Sequence, residues 1–180
     1  VPAGDLVAEV RANAVDLPAL SPEQAVREAL AHPVASPPLE ELVRAGHKVC
    51  LPVPDVTRLW QSPAVSVPLL VEALNACGAR DGDITILSAC GTHRRQTPEE
   101  HAALVGRDIA VRIPVVDHQC RETAELRRVG VTSRGTPVDF NRHVVEADKV
   151  VSCCGVVHHF LAGFGGGGKM LLPGVAGHAS

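Results

Sequence analysis

Lys48-Val49-Cys50-Leu51-Pro52-Val53-Pro54-Asp55-Val56-Thr57-Arg58 is the segment from which the fold is read. An apolar run too short for a buried helix, Lys48–Val53, breaks at Pro54 into a carboxylate, a hydroxyl and a guanidinium. The run reads as a buried strand, and the polar cluster reads as the loop at its carboxyl end. Downstream the same alternation repeats. Ala64–Cys77 is expected to be a helix closed by Gly78, and Ile84–Ala89 a second strand. Pro98–Val105 is expected to be a helix opened by a capping box, Thr97 with Glu100 three residues on. Asp108–Val116 is expected as a third strand and Lys149–Cys154 as a fourth, preceded by a short helical or turn segment at Val144–Ala147. Gly130–Asn141 reads as a loop or a β-hairpin.

Upstream, Pro18, Pro22, Pro33, Pro37 and Pro38 punctuate the chain. Ser21 caps a helix at Pro22–Ala31, and Pro37-Pro38 opens a second at Leu39–Ala45, stopped by Gly46. Apolar strands alternating with helices specify an α/β fold: a Rossmann-like parallel sheet flanked by helices on both faces, with an irregular Pro-rich N-terminal segment. Residues 1–45 are expected to form an extension packing on an α/β domain of residues 46–180. The chain starts at Val1 and stops at Ser180 just after a Gly-rich stretch, and is expected to be one domain of a longer protein.

Composition narrows the function classes. The 180 residues carry a net charge of −3 with a pI near 6.3, which disfavours nucleic acid or an anionic membrane as the main partner. Aromatic residues make up 2% with no Tyr, so platforms for stacking bases are effectively absent. No apolar run approaches a membrane span, and no secretory leader pattern opens the chain. Of the six cysteines, Cys50, Cys90 and Cys153 lie in or beside apolar runs, and Cys153-Cys154 are adjacent. They read as reduced, buried thiols of a cytoplasmic protein, with no C-x₂-C pair to suggest zinc.

Ligands of an open parallel sheet sit at the carboxyl ends of its strands. Four segments fall there: Pro54–Arg58, Gly91–Arg94, Asp117-His118 and Gly155–Lys169. In the first, Arg58 could grip a carboxylate or phosphate bidentately, with Asp55 and Thr57 orienting it, or Asp55 could simply cap the next helix. In the second, His93 follows a turn-forming Gly91 and can trade protons near neutral pH. Asp117-His118 reads as a supporting pair. The last contains His158-His159 and the run Gly163-Phe164-Gly165-Gly166-Gly167-Gly168-Lys169, which fits the first seven positions of a phosphate-binding G-x₄-G-K-[ST] loop. Met170 replaces the hydroxyl residue and Pro173 opposes the long helix such loops need, so a nucleoside triphosphatase is disfavoured. What remains is a glycine run suited to close anion approach and a lysine able to form a covalent bond.

Asp55-x-Thr57-Arg58, Gly91-Thr92-His93-Arg94, Asp117-His118, Glu146–Val150 and His159–Gly174 occur in that order. Together they resemble the N-terminal domain of the nickel-dependent lactate racemase family, from about Pro37 to the end of the chain. The resemblance implies a racemase or epimerase of 2-hydroxy acids that uses a nickel-pincer nucleotide (pyridinium-3,5-bisthiocarboxylic acid mononucleotide nickel). In that family the lysine matched by Lys169 tethers the cofactor covalently. The histidines matched by His93 and His159 are acid–base partners on the two faces of the substrate, while hydride passes to the cofactor and back. By the same resemblance Asp55, Thr57, Gly165, Gly166 and Gly168 belong to the cofactor site, and Arg58 contacts the substrate anion. Cofactor-biosynthesis proteins are implied as partners.

Two departures stand beside this. The family's nickel-ligating histidine is expected beyond Ser180, together with a second domain that closes the cleft, and His178 does not match it. Gly165 stands where the family pattern carries a serine after the phenylalanine. The alternative function is a non-catalytic nucleotide- or phosphate-binding module using the Gly163–Lys169 loop. A zinc hydrolase built on His93, His118 and His158 or His159 is a further reading, unsupported by any ligand spacing.

Overall fold

A computed structural model describes residues 18–180 continuously and, of the first seventeen, residues 3–5, 7, 8, 11, 14 and 16. Most of the chain before Pro18 therefore lies outside the described residues. Strands β1 (Val49–Val53), β2 (Ile84–Ser88) and β3 (Val115–Asp117) run parallel, joined by helices α3 (Pro63–Ala76), α4 (Pro98–Val105) and α5 (Arg107–Arg112). Two further helices precede them, α1 (Pro22–Ala31) and α2 (Leu39–Leu42). Leu126–Val131 and Pro137–Asn141 form an antiparallel hairpin, β4–β5, followed by α6 (Arg142–Val145) and β6 (Lys149–Val150). A second small hairpin, β7 (Val157–His159) and β8 (Gly163–Gly165), closes the list of strands. The main sheet has the order β3-β2-β1-β6, with β6 also parallel to β1.

Alternation along the two central strands divides their side chains between two layers. Val49, Leu51, Val53, Ile84 and Ile86 enter one core with Val67, Leu70, Val71 and Leu74 of α3, which lie at the i, i+3, i+4, i+7 spacing of one helix face. Leu104, Val105, Ile109 and Ile113 complete that layer from the α4–α5 side. Cys50 and Leu87 face the other way, against Val175 and the partly buried Phe140, Val144 and Leu171. The second face is thus covered by the four-residue α6, the β4–β5 hairpin and the C-terminal segment, not by long helices. Helix α1 lies against α3, where Arg27 pairs with Glu72 at 3.0 Å and Leu30 reaches the core.

The expected capping box of Thr97 with Glu100 opens α4, and the expected N-cap Ser21 opens α1, where the structure adds a reciprocal bond from Gln24 that completes a second box. Three expectations need correction. The strand expected over Asp108–Val116 is mostly helix α5, and only Val115–Asp117 is strand. Ile109 and Ile113, four apart, are buried, whereas Val111 between them is 88% exposed. That pattern is helical and excludes a strand burying all three. The second helix ends at Leu42, because Val43 turns extended and plugs the core. The fourth strand is formally only Lys149–Val150, although Val151 and Cys153 still donate to the carbonyls of Cys50 and Pro52 at 3.0 Å each. All six cysteines are free thiols. Among the described residues no helix is long and apolar enough to cross a membrane.

Candidate active site

Parallel strands put their carboxyl ends on one edge, so the loops after β1, β2 and the β6 extension meet there. Asp55 follows β1 and caps a short 3₁₀ segment, Val56–Gln61. Its carboxylate accepts the Thr57 N–H at 3.1 Å and the Thr57 hydroxyl at 2.5 Å. It also meets Nδ1 of His93. Its side chain is only 6% exposed, and these donors supply the hydrogen bonds that a buried carboxyl group needs. Thr57 Oγ1 in turn accepts from Arg58 Nη1 at 3.0 Å, so a chain of hydrogen bonds runs from Arg58 through Thr57 to Asp55 and on to His93. No carboxylate pairs with Arg58 among the described residues, which leaves guanidinium donors for an anion.

His93 reaches this position because Gly91 takes φ +56°, a conformation costly for other residues, and turns the chain sharply after β2. The imidazole is 52% exposed. An ionised Asp55 can only accept, so Nδ1 carries the proton and Nε2 presents a lone pair.

His159, at the end of β7, is held oppositely. Its Nδ1 accepts the backbone N–H groups of Leu161 at 3.2 Å and Ala162 at 3.1 Å. Those groups can only donate, so the ring proton sits on Nε2. Phe160 stacks on the ring, with centroids 5.0 Å apart and planes 7° apart.

Asp55, Thr57, Arg58 and His93 line one cleft together with His159, Gly165, Gly166 and Lys169. The cleft holds about 610 Å³, counting space open to solvent. Lys169 is half-buried on a 3₁₀ turn, Gly167–Met170, and its ammonium has no hydrogen-bond or ion-pair partner among the described residues. Gly166 is at φ +77°, and a Cβ there would lie 2.6 Å from the Gly155 carbonyl. The backbone therefore passes the cleft wall more closely than any side chain permits. Gly168 does not line the cleft. It borders a neighbouring groove with Val156, Phe164 and Leu172.

Asp117 and His118 do not act on each other. Asp117 bonds His101 Nε2 at 2.9 Å and Gln96 at 2.8 Å. Burial pushes its carboxyl up, but the hydrogen bonds from Gln96 and His101 outweigh that and hold it below its ordinary value. His118 is fully buried, donating from Nε2 to the Ala176 carbonyl at 2.8 Å and accepting the Asn141 amide on Nδ1 at 3.2 Å. Burial lowers its pKa. Neither residue lines the cleft.

Gln61 and Cys154 do line it, and sequence reasoning missed both. Gln61 Oε1 accepts the Gly155 N–H at 2.9 Å, and Cys154 Sγ accepts that of Gly167 at 3.3 Å. Together they pin the start and the turn of the glycine loop. The available signal was position: Cys154 is the last residue of the fourth apolar run, at the strand edge where the other candidates lie.

Residues 1–180 match a family model described as the lactate racemase N-terminal domain. The chain is 35% identical over 159 residues to a lactate racemase of Lactiplantibacillus plantarum, covering 88% of this chain and 37% of that protein. It is 31% identical over 157 residues to a lactate racemase of Thermoanaerobacterium thermosaccharolyticum, covering 87% and 36%. The lactate racemase apoprotein structure from Thermoanaerobacterium thermosaccharolyticum aligns with a TM-score of 0.77 at 31% identity, over 86% of this chain and 37% of that one. A crystal structure of a Thermotoga maritima protein aligns with a TM-score of 0.69 at 26% identity, over 86% and 38%. The chain thus spans a little over a third of the length of the curated relatives it matches. A parallel sheet with this strand-end cleft, matched along its whole length by one family model, belongs to the lactate racemase N-terminal domain family.

Proposed function

We propose that the intact protein racemises a small 2-hydroxy acid, and that this chain supplies its acid–base, anion-binding and cofactor-tethering groups. The observation that carries the reading is the buried Asp55 carboxylate on His93 Nδ1, with His159 and Lys169 lining the same cleft. Inverting a carbinol carbon requires one group to take the hydroxyl proton and another to address the oxygen from the far side.

Arg58 grips the substrate carboxylate and places its hydroxyl near the two histidines. His93 Nε2 accepts the hydroxyl proton, and Asp55 stabilises the imidazolium that forms and keeps the ring in register. Loss of that proton together with a hydride from the carbon would leave a keto acid that is planar at the former stereocentre. His159 Nε2–H first meets the substrate oxygen as a hydrogen-bond donor. For Nε2 to accept a proton in its turn, the ring must exchange tautomer, and the Leu161 and Ala162 amides must release Nδ1. The two histidines are therefore not equivalent in this resting arrangement.

The hydride needs an acceptor that no side chain provides, and we assign that role to the nickel-pincer nucleotide, supported by the lysine and glycines that line the cleft. The unpartnered Lys169 amine is placed for a covalent tether, and the Gly165–Gly166 backbone for close approach of a phosphate-bearing ligand. Asp55 and Thr57 border the same space. No group of three His, Cys, Asp or Glu side chains among the described residues could hold a metal by itself, so the organic ligand would carry the nickel into this cleft. When bound, the cofactor supplies reversible hydride acceptance. Dependence on cofactor-biosynthesis proteins and a cytoplasmic location follow from the same reading. A phosphate-binding module built on the glycine loop alone would leave the Asp55–His93 pair without a role.

The test is racemisation of lactate and larger 2-hydroxy acids by the intact protein, expressed with the cofactor-making enzymes. His93→Ala and His159→Ala are each expected to abolish inversion. Retained activity in both variants would overturn the acid–base assignment.

A further inference from the structure

Gln96 lies between the His93 loop and helix α4, and its side chain reaches the segment that follows β1 and the last residues of β2 and β3. Its carbonyl oxygen accepts the Val56 N–H at 2.6 Å. Its amide nitrogen donates to Ser88 Oγ at 2.7 Å and Asp117 Oδ1 at 2.8 Å. Its own backbone N–H donates to Asp117 Oδ2 at 2.8 Å. His101 reaches Asp117 Oδ1 from α4 at 2.9 Å, and the Asp117 side chain is 9% exposed. The Gln96 amide and both Asp117 carboxylate oxygens all have partners in this network, which favours one arrangement over others.

The consequence concerns Asp55. Val56 is the next residue, so the amide that Gln96 holds belongs to the peptide unit joining Asp55 to Val56. On its other side Gln96 is three residues from His93. Its side chain thus sets the spacing between the loop that carries the carboxylate and the loop that carries the imidazole. We infer that Gln96, backed by Asp117, is a positioning residue for the Asp55–His93 pair. It touches no substrate; it keeps His93 Nδ1 on Asp55 and Nε2 aimed into the cleft. This rests on the proposed racemase reading for its effect on rate, but not for its effect on the pair.

Two variants test it in the intact protein. Gln96→Met keeps length and removes every side-chain hydrogen bond. Val56→Pro removes only the N–H that Gln96 accepts; the site allows proline, since Val56 opens a 3₁₀ segment and Asp55 before it is extended, at φ −83° and ψ 178°. The direct readout is the far-downfield Nδ1–H proton resonance of ¹⁵N-labelled His93, assigned by its loss in His93→Gln. Both variants are expected to shift or lose that resonance, and to lower kcat about tenfold with KM within about twofold. A residue that merely stabilises the fold would lower the melting temperature and leave the resonance in place. Retention of the wild-type resonance in either folded variant overturns the assignment. A normal wild-type resonance in a protein that racemises nothing would count against the proposed function alone, and the two variants would still decide the role of Gln96 from the spectrum.

Discussion

The carboxylate of Asp55 and the imidazole of His93, 38 residues apart in sequence, meet at the carboxyl edge of adjacent parallel strands. One partner is buried and the other half-exposed, which is the arrangement a proton-transferring histidine needs: a fixed, charged backing on Nδ1 and an open Nε2. Asp55→Asn keeps shape and the Thr57 contact but removes the charge. On the proposed reading kcat falls about 10²–10⁴-fold, with a much smaller change in KM. Steady-state kinetics on Asp55→Asn, His93→Ala and the double variant check it. The two losses should not add, because the residues act as a unit.

The glycine loop offers a contrast in stability. Gly166→Ala forces a Cβ to within 2.6 Å of a carbonyl oxygen at a positive φ and should destabilise by about 1–3 kcal/mol. Gly168 has nothing within 4 Å of such a Cβ and no positive φ, so Gly168→Ala should stay within about 0.5 kcal/mol of wild type. Urea unfolding of both variants measures this.

His118 makes stability depend on pH. Its ordinary value of 6.5 is lowered by burial, and that of His143 is lowered for the same reason. The unfolded chain therefore takes up these protons at a higher pH than the folded one. The stabilisation is fully present above about pH 6.5 and is lost as the pH falls toward the folded-state values. Melting temperatures between pH 7.5 and 5 should decline, with a shallower decline in His118→Gln.

Cysteine reactivity should sort by burial. Burial pushes the thiols of Cys50 and Cys90 up to about 12. Iodoacetamide at pH 8 should leave both unmodified in the folded protein and label them once urea is added, as read by peptide mass mapping.

Legibility of the fold followed signal strength. The N-cap at Ser21, the capping box at Thr97 and the apolar runs at Lys48–Val53 and Ile84–Ala89 carry their own punctuation, and the structure matches them within a residue. Residues 108–116 misled because Ile109, Val111 and Ile113 alternate as a strand would, while Ile109 and Ile113 alone also satisfy a helix. The gap at Val111 appears only when burial is known. The β7–β8 hairpin was not legible, since Gly163–Gly168 offers almost no periodicity. Asp55, His93, His159 and Lys169, which the structure brings to one cleft, were legible as candidates because strand-end position adds meaning to reactive side chains. Gln96, Gln61 and His101 were not, because a residue that only holds others in place has no chemistry of its own to mark it in sequence.

The most direct measurement is the intact mass of the protein purified from cells that also make the nickel-pincer nucleotide, followed by mapping of the peptide that contains Lys169. The account predicts a mass increment on Lys169 with nickel in stoichiometric amount, both lost in Lys169→Ala. Racemisation by a protein whose Lys169 is unmodified and which carries no nickel would contradict it.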